Sequence, residues 1–242
     1  MEKFSATAVI PIYNEENYVD EIIYFALNQT ISFKKIIIVN DGSNDRSYQK
    51  ILKYIYKKKI KVINNSQNLG INKSLNIALR LVKTKFFFIM SAGDVYDLRI
   101  VEWCKKAYKS NKDISMFCGN IRIKYPLKNI IINRNLPFEK NCLLNKSHIF
   151  QVGQKRNVTF FGGGVLMDTN KVISIGGFSE DLKWLADWYL YLILGMKYKF
   201  FFLDEFFATL NIRKRDYSKF LFDWKKNKSV IKKFLKLIFL ED

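Results

Sequence analysis

Two hydrophobic periods alternate along the first half of the chain. Residues 6–10, 35–39, 61–64 and 85–90 are short, mostly apolar runs, the pattern of strands buried on both faces. Between them, apolar residues recur at three- and four-residue spacing over 15–29, 45–57, 72–82 and 97–109. Val19, Ile22, Ile23, Ala26 and Leu27 form one stripe of the first predicted helix, and Leu75, Ala78, Leu79 and Val82 one stripe of the third. Strand and helix in alternation predict an α/β domain, a parallel sheet covered on both faces. The second half is less regular. Residues 114–123, 130–132, 165–167, 200–203 and 206–212 read as strands and 186–194 as a helix. Residues 134–156 are polar and poorly periodic, which predicts a long loop of the kind that serves as a flap.

The last predicted helix, 217–239, is amphipathic. Phe220, Leu221, Trp224, Ile231, Leu235 and Ile238 share a broad face, with Lys225, Lys226, Lys228, Lys232, Lys233 and Lys236 between them. Such a stripe serves either of two uses: docking on an anionic membrane surface, or packing on the domain behind a solvated Lys face.

Composition narrows the class. With 242 residues, 49% of them hydrophobic, the chain can bury a sizeable core, and with 3 Pro it does not read as disordered. Three cysteines, Cys104, Cys118 and Cys142, exclude a disulfide-stapled scaffold and lack metal-ligand spacing. No apolar run approaches the ~20 residues of a spanning helix, and residues 1–8 lack the cationic start of a leader. These features predict a cytoplasmic protein with reduced thiols. The formal net charge of +19 raises nucleic acid, phosphorylated ligands and membrane surfaces as partners. The excess is overwhelmingly Lys in a chain also rich in Ile, Asn, Phe and Tyr, a bias that AT-rich coding alone produces.

Open α/β sheets bind ligands outside the carboxyl ends of their strands. The first strand ends in Pro11-Ile12-Tyr13-Asn14-Glu15, and the second in Val39-Asn40-Asp41-Gly42-Ser43-Asn44-Asp45. The third is followed by Asn64-Asn65 and Asn68-Leu69-Gly70, and the fourth by Ser91-Ala92-Gly93-Asp94. One polar cluster is ordinary turn chemistry, but four at one sheet edge read as a ligand crevice.

This ordered set, with Asn76 and with Gly176-Gly177-Phe178-Ser179-Glu180 ahead of Ala186-Asp187-Trp188, resembles the family 2 glycosyltransferases of the GT-A fold. The resemblance spans about residues 5–213. It implies a Rossmann-like, mostly parallel sheet flanked by helices over 1–213. A nucleotide-binding half covers about 1–112 and an irregular acceptor half about 113–213, with a basic amphipathic segment over 214–242. It implies an inverting transferase that moves a sugar from a nucleotide sugar, a UDP-sugar, to a glycan or a polyprenyl-diphosphate-linked acceptor in bacterial surface polysaccharide synthesis. Such an enzyme works in the cytoplasm, with a peripheral place on the inner face of the plasma membrane open to it and no role for nucleic acid.

The resemblance also distributes roles. Asp41 accepts hydrogen bonds from the base edge, Tyr13 stacks on the ring, and Glu15 contacts ribose or base, with Pro11 in the same strand end. Asp45 and Ser43 read as caps of the following helix. Lys73 reaches a phosphate or is simply a solvated helix Lys. Ser91, Ala92 and Asp94 occupy the place of the family's acidic metal motif, where Asp94 would hold Mg²⁺ or Mn²⁺ against the leaving diphosphate. Here the chain departs from the pattern, with one acid where many members have two or three. Asp187 is the expected general base, and Glu180 and Asp181 are its competitors. Trp184 and Trp188 flank that base. Phe160, Phe161 and Gly162, Gly163 and Gly164 are expected along the acceptor cleft, and Arg213, Lys214 and Arg215 near the diphosphate. His148 reads as a surface residue. Two rival readings stand beside this one: a polyprenyl-phosphate glycosyltransferase, whose ionised acceptor needs no base, and a non-catalytic basic binding protein.

Overall fold

The computed structural model describes residues 3–154, 160, 162–213 and 224–239. Its strands are β1 (Ala6–Ile12), β2 (Lys35–Asn40), β3 (Ile60–Asn64), β4 (Phe86–Ile89), β5 (Val95–Tyr96), β6 (Met116–Tyr125), β7 (Ile130–Arg134), β8 (Cys142–Leu144), β9 (Val165–Asp168) and β10 (Phe200–Asn211). They form one open sheet with the path β3-β2-β1-β4-β9-β6-β10-β5; β7 lies on β6 and β8 on β10. The first four strands in this order are mutually parallel, and β6 and β10 run parallel to each other. β9 is inserted antiparallel between β4 and β6, which leaves β6 and β10 pointing the same way as β1.

Helices α1 (Val19–Leu27), α2 (Ser47–Leu52), α3 (Ile71–Leu79), α4 (Ile100–Ser110), α5 (Lys146–Gly153), α6 (Thr169–Ser174), α7 (Ala186–Lys197) and α8 (Trp224–Phe239) surround the sheet. Alternation along the strands divides the core in two. Ala6, Ala8, Ile10 and Ile12 of β1 join the cluster with α1 and α4, whereas Val9 joins the one with α3 and α7. A strand with both faces covered must be apolar at every position, so β2 and β4 read as continuous runs.

Several boundaries differ from the sequence pattern for local reasons. The helix expected over 15–29 starts at Val19, because the Glu15 and Glu16 N–H groups donate to Ser47 Oγ and Asp45 Oδ2 instead of opening a helix. The helix expected over 45–57 ends at Leu52 and continues as turns. Within 134–156, β8 and α5 replace the expected long loop; the segment is tied down by Leu136 N–H donating to Asn120 Oδ1 and by an Asn145/His148 capping box on α5. The two strands expected over 200–212 are one, β10, whose pairing with β6 shifts register on both sides of Phe206. The polar pair Asp204-Glu205 marks that irregularity rather than a turn.

For α8, the structure shows the packed use of the stripe. Val230 and Phe234 are buried against the 3-10 segment Glu180–Leu185 and α7. Phe234 stacks on Trp188 with centroids 5.0 Å apart, and Lys233 pairs with Asp181. Lys228, Lys232 and Lys236 face solvent, as does Leu235, which the sequence placed on the apolar side. Phe220 and Leu221 lie outside the described residues. No helix among the described residues is long and apolar enough to cross a membrane.

Candidate active site

The carboxyl ends of β1 to β4 meet at one sheet edge, joined there by the ends of β6 and β10. β9 runs the other way, so its leading residues Gly162, Gly163 and Gly164 arrive at the same edge. Pro11, Tyr13, Glu15, Asp41, Ser91, Ala92 and Asp94 therefore collect on one rim, with Lys73 exposed on the first turn of α3.

The β1–α1 and β2–α2 loops are bonded into one unit. Asn14 takes the left-handed conformation (φ 55), its N–H donates to Ser43 Oγ at 3.0 Å, and its Oδ1 accepts from Asn44 N–H at 2.9 Å. Neither expected cap is one: the cap position of α2 is Arg46, with no side-chain cap bond, while Asp45 accepts from Ser47 N–H and Glu16 N–H in the turn ahead of it and Ser43 braces Asn14. The unit leaves Tyr13 44% exposed at the rim, an aromatic face without a covering layer. Asp41 is buried. Its Oδ1 accepts from Asn65 Nδ2 and Leu69 N–H, both at 2.9 Å, and its Oδ2 from Gly70 N–H at 3.0 Å. The carboxylate thus organises the 65–70 loop at the end of β2.

The 91–94 turn is held from three sides. Ser91 N–H donates to the Tyr96 hydroxyl at 2.8 Å, Asn211 N–H donates to Asp94 Oδ1 at 2.9 Å, and the Asn211 amide donates to Gly93 O. Burial, with the Asp94 charge nearby, holds the Tyr96 hydroxyl well above its ordinary range, so it stays protonated. Gly93 has φ 87, and a Cβ there would lie 2.7 Å from Arg213 Nη1. That guanidinium also pairs with both Glu15 oxygens, at 2.7 and 3.1 Å, and lies 4.8 Å over the Tyr18 ring. Arg213 thus bridges the β1 loop and the 91–94 turn, and Glu15, expected at the ribose or base, is its ion-pair partner. Lys214 and Arg215 lie outside the described residues.

No group of three or more His, Cys, Asp or Glu side chains gathers to hold a metal among the described residues. The donor set at the turn, one carboxylate, suits a hard cation that takes most of its oxygen ligands from a diphosphate and water, not a protein cage.

Asp187 stands in the first turn of α7. Its Oδ1 accepts from Trp188 N–H at 2.7 Å, and its Oδ2 faces Gly162, where a Cβ would sit 3.1 Å away. The missing side chain at 162 keeps that carboxylate oxygen approachable. Burial pushes the Asp187 carboxyl up to about 6. Tyr191, one helical turn on, is buried, and burial with the Asp187 charge raises its hydroxyl well above the ordinary range. The competitors are placed differently: Glu180 and Asp181 are exposed, and Asp181 is engaged by Lys233. Phe160, expected along the cleft, is a core residue packed edge-on against Phe200, while Phe161 lies outside the described residues. Sequence reasoning put Asn65 in a crevice cluster without a role and missed Asn72 and Asn211; all three are polar side chains that act on other residues. Asn72 left a trace: with Asn76 it repeats an amide at i, i+4 in the same helix.

A family model for Glycosyl transferase family 2 matches residues 7–172, more than half of the chain. The chain belongs to this family. A relative from Haemophilus influenzae, an uncharacterized glycosyltransferase, is 42% identical over 170 residues, covering 60% of this chain and 52% of its own length. The chain thus spans about half of that relative. Among solved structures, Staphylococcus aureus TarS in complex with UDP-GlcNAc superposes with a TM-score of 0.72 at 17% identity, covering 89% of this chain and 61% of that one. The mannosyltransferase PcManGT from Pyrobaculum calidifontis, in complex with GDP-Man and Mn²⁺, gives 0.66 at 14% identity, covering 98% and 65%. At such identities the superpositions speak for the GT-A fold.

Proposed function

We propose that this family 2 domain is an inverting glycosyltransferase that moves a sugar from a UDP-sugar to a hydroxyl of a glycan or lipid-linked acceptor in surface polysaccharide synthesis. The placement of Asp187 carries the reading. A carboxylate lifted to about 6, one oxygen anchored by its own helix and the other beside a glycine gap, matches a base that must hold and release a proton near neutral pH. The donor side supports it: Tyr13 offers a face for the nucleotide ring, and Asp41 stands beside it at the next strand end. TarS and PcManGT, built on the same fold, were solved with nucleotide sugars.

In the proposed mechanism the acceptor hydroxyl attacks the anomeric carbon in line with the departing UDP oxygen. Asp187 takes the hydroxyl proton, the new glycosidic bond forms and the bond to the diphosphate breaks, which inverts the anomeric centre. Asp94 would hold a Mg²⁺ or Mn²⁺ ion, which when bound neutralises charge on the leaving diphosphate. Arg213 adds a cation on the same side.

Substituting Asp187→Asn keeps shape and removes the base. Transfer should fall about 10²–10⁴-fold while UDP affinity by calorimetry stays within a factor of two or so. Turnover surviving in D187N would move the reading to an acceptor already ionised, such as a lipid phosphate.

A further inference from the structure

Helix α3 joins the two halves of the site. At its start, the Leu69 and Gly70 N–H groups donate to Asp41, and the Asn65 amide donates to both Asp41 and Ser74 Oγ. Along its flank, Asn72 Nδ2 donates to Ser179 O at 3.0 Å and to Lys183 O at 2.8 Å. Asn76 makes a reciprocal pair with Phe178, donating to its carbonyl at 2.8 Å and accepting from its N–H at 2.9 Å. One helix is thus bonded at one end to the nucleotide-side carboxylate and on one face to the segment that leads into Asp187.

The bonded segment is strained where it is held. Lys183 has φ 47 and ψ −119, dihedrals like those of the first central position of a type II′ turn, which favours Gly. Its carbonyl is one of the two that Asn72 grips. Gly177 has φ 72, and any Cβ there would sit 2.7 Å from Asn76 Oδ1. Such a conformation at a non-Gly residue persists only where the surroundings over-determine it. Here two amides on a buried helix face supply that restraint, and Asp187 follows four residues after the strained one.

We propose that Asn72 and Asn76 are positioning residues, a latch through which the donor half sets the place of Asp187 and donor binding at Asp41 orders residues 178–187. The inference rests on reading Asp187 as the base and Asp41 as a donor contact. Neither asparagine touches the reacting atoms. Each acts by fixing backbone carbonyls more than 100 positions away in sequence.

Asn72→Asp tests this with little change in volume: it removes both N–H donors and sets a carboxylate against two carbonyl oxygens. Asn76→Asp is milder, because it keeps the acceptor for Phe178 N–H. N72D should lower kcat about 10–100-fold, as a misplaced base does, with the KM for the UDP-sugar within about threefold. N76D should lose less. Adding Lys183→Gly to N72D should restore much of the loss, since Gly takes the turn without restraint. Hydrogen exchange supplies a readout independent of turnover: UDP should slow exchange over 178–187 in the wild-type protein and fail to do so in N72D. If N72D does not fold, N76D provides the same comparison. Wild-type kcat and wild-type UDP protection in the asparagine variants would overturn the latch while leaving the base in place. An active D187N alongside lost UDP protection in N72D would leave the latch standing and remove only the identity of the base.

Discussion

At the scale of single residues, the proposed base is a group whose function works against the fold. Burial raises the Asp187 carboxyl from 3.8 to about 6, so the folded protein holds that proton more tightly than the unfolded chain does. The stabilisation from this tighter proton is fully present below about pH 4 and is lost as the pH rises through about 6. Above that, the ionised carboxylate costs stability, with an upper bound of about 3 kcal/mol for a shift of about two units. D187N should therefore melt at a higher temperature than the wild type at pH 8 and at nearly the same temperature at pH 4, while transfer by the wild type declines below about pH 6. Melting curves and kcat measured across this range check both halves. Equal melting temperatures at pH 8 would mean the carboxylate is solvated after all. Asp41 is bonded differently: it accepts from Asn65, Leu69 and Gly70, whereas the Asp187 side chain accepts from the N–H groups at the start of its own helix.

At the scale of elements, α8 shows how one pattern admits two outcomes that only tertiary structure separates. A stripe of apolar residues between lysines suits a membrane face and a protein face equally. Here Val230 and Phe234 cover the Glu180–Leu185 segment, and Phe234 lies flat on Trp188, the neighbour of Asp187. Phe234→Ala should weaken docking of α8 by about 3 kcal/mol, the usual loss for a buried aromatic. The sheet should keep its melting temperature, because the loss is local. Proteases should then cut α8 sooner, and kcat should drop as Trp188 loses its cover. Unchanged proteolysis and turnover would show that α8 is not a support for the α7 start. The same contrast explains what was legible in the sequence. β1 to β4 and the helices between them were, because each strand is an apolar run that ends in its own polar cluster and the helical stripes fall between those runs. β5, with 2 residues, and α6, with 6, were not, because so few positions carry no period. β8 and α5 were masked by the polarity of 134–156. Asp94 was legible in the sequence as a lone acid after an apolar strand, and Asp187 through the resemblance to the family's acid after the Gly-Gly-Phe segment. Asn211 and Asn72 were not, because their partners, Asp94, Gly93, Ser179 and Lys183, are distant in sequence.

At the scale of the whole molecule, a cluster of five lysines lies at the end of the sheet opposite the proposed site. The net charge is +19, yet the crevice edge is built around Glu15, Asp41 and Asp94, with Arg213 tied to Glu15. The amino-terminal edge instead carries a cavity of about 510 Å³ lined by Lys3, Lys34, Lys83, Lys85 and Lys105. On the proposed reading, an anionic donor would be attracted by the molecule as a whole but would meet acids where it binds, and a divalent cation would resolve that conflict. This makes donor binding conditional. UDP with Mn²⁺ at about 100 times its Kd should stabilise the fold by about 2.7 kcal/mol, or about 5–10 °C for a chain of this size. In EDTA the shift should shrink, because UDP then faces Asp94 without a counter-charge. Asp94→Ala removes both the cation's protein ligand and the repelling acid, so its UDP shift should be small and the same in Mn²⁺ as in EDTA. GDP in place of UDP tests the base preference in the same melt. A wild-type UDP shift that is equal in Mn²⁺ and EDTA would remove the cation from donor binding and leave Arg213 as the counter-charge to the diphosphate.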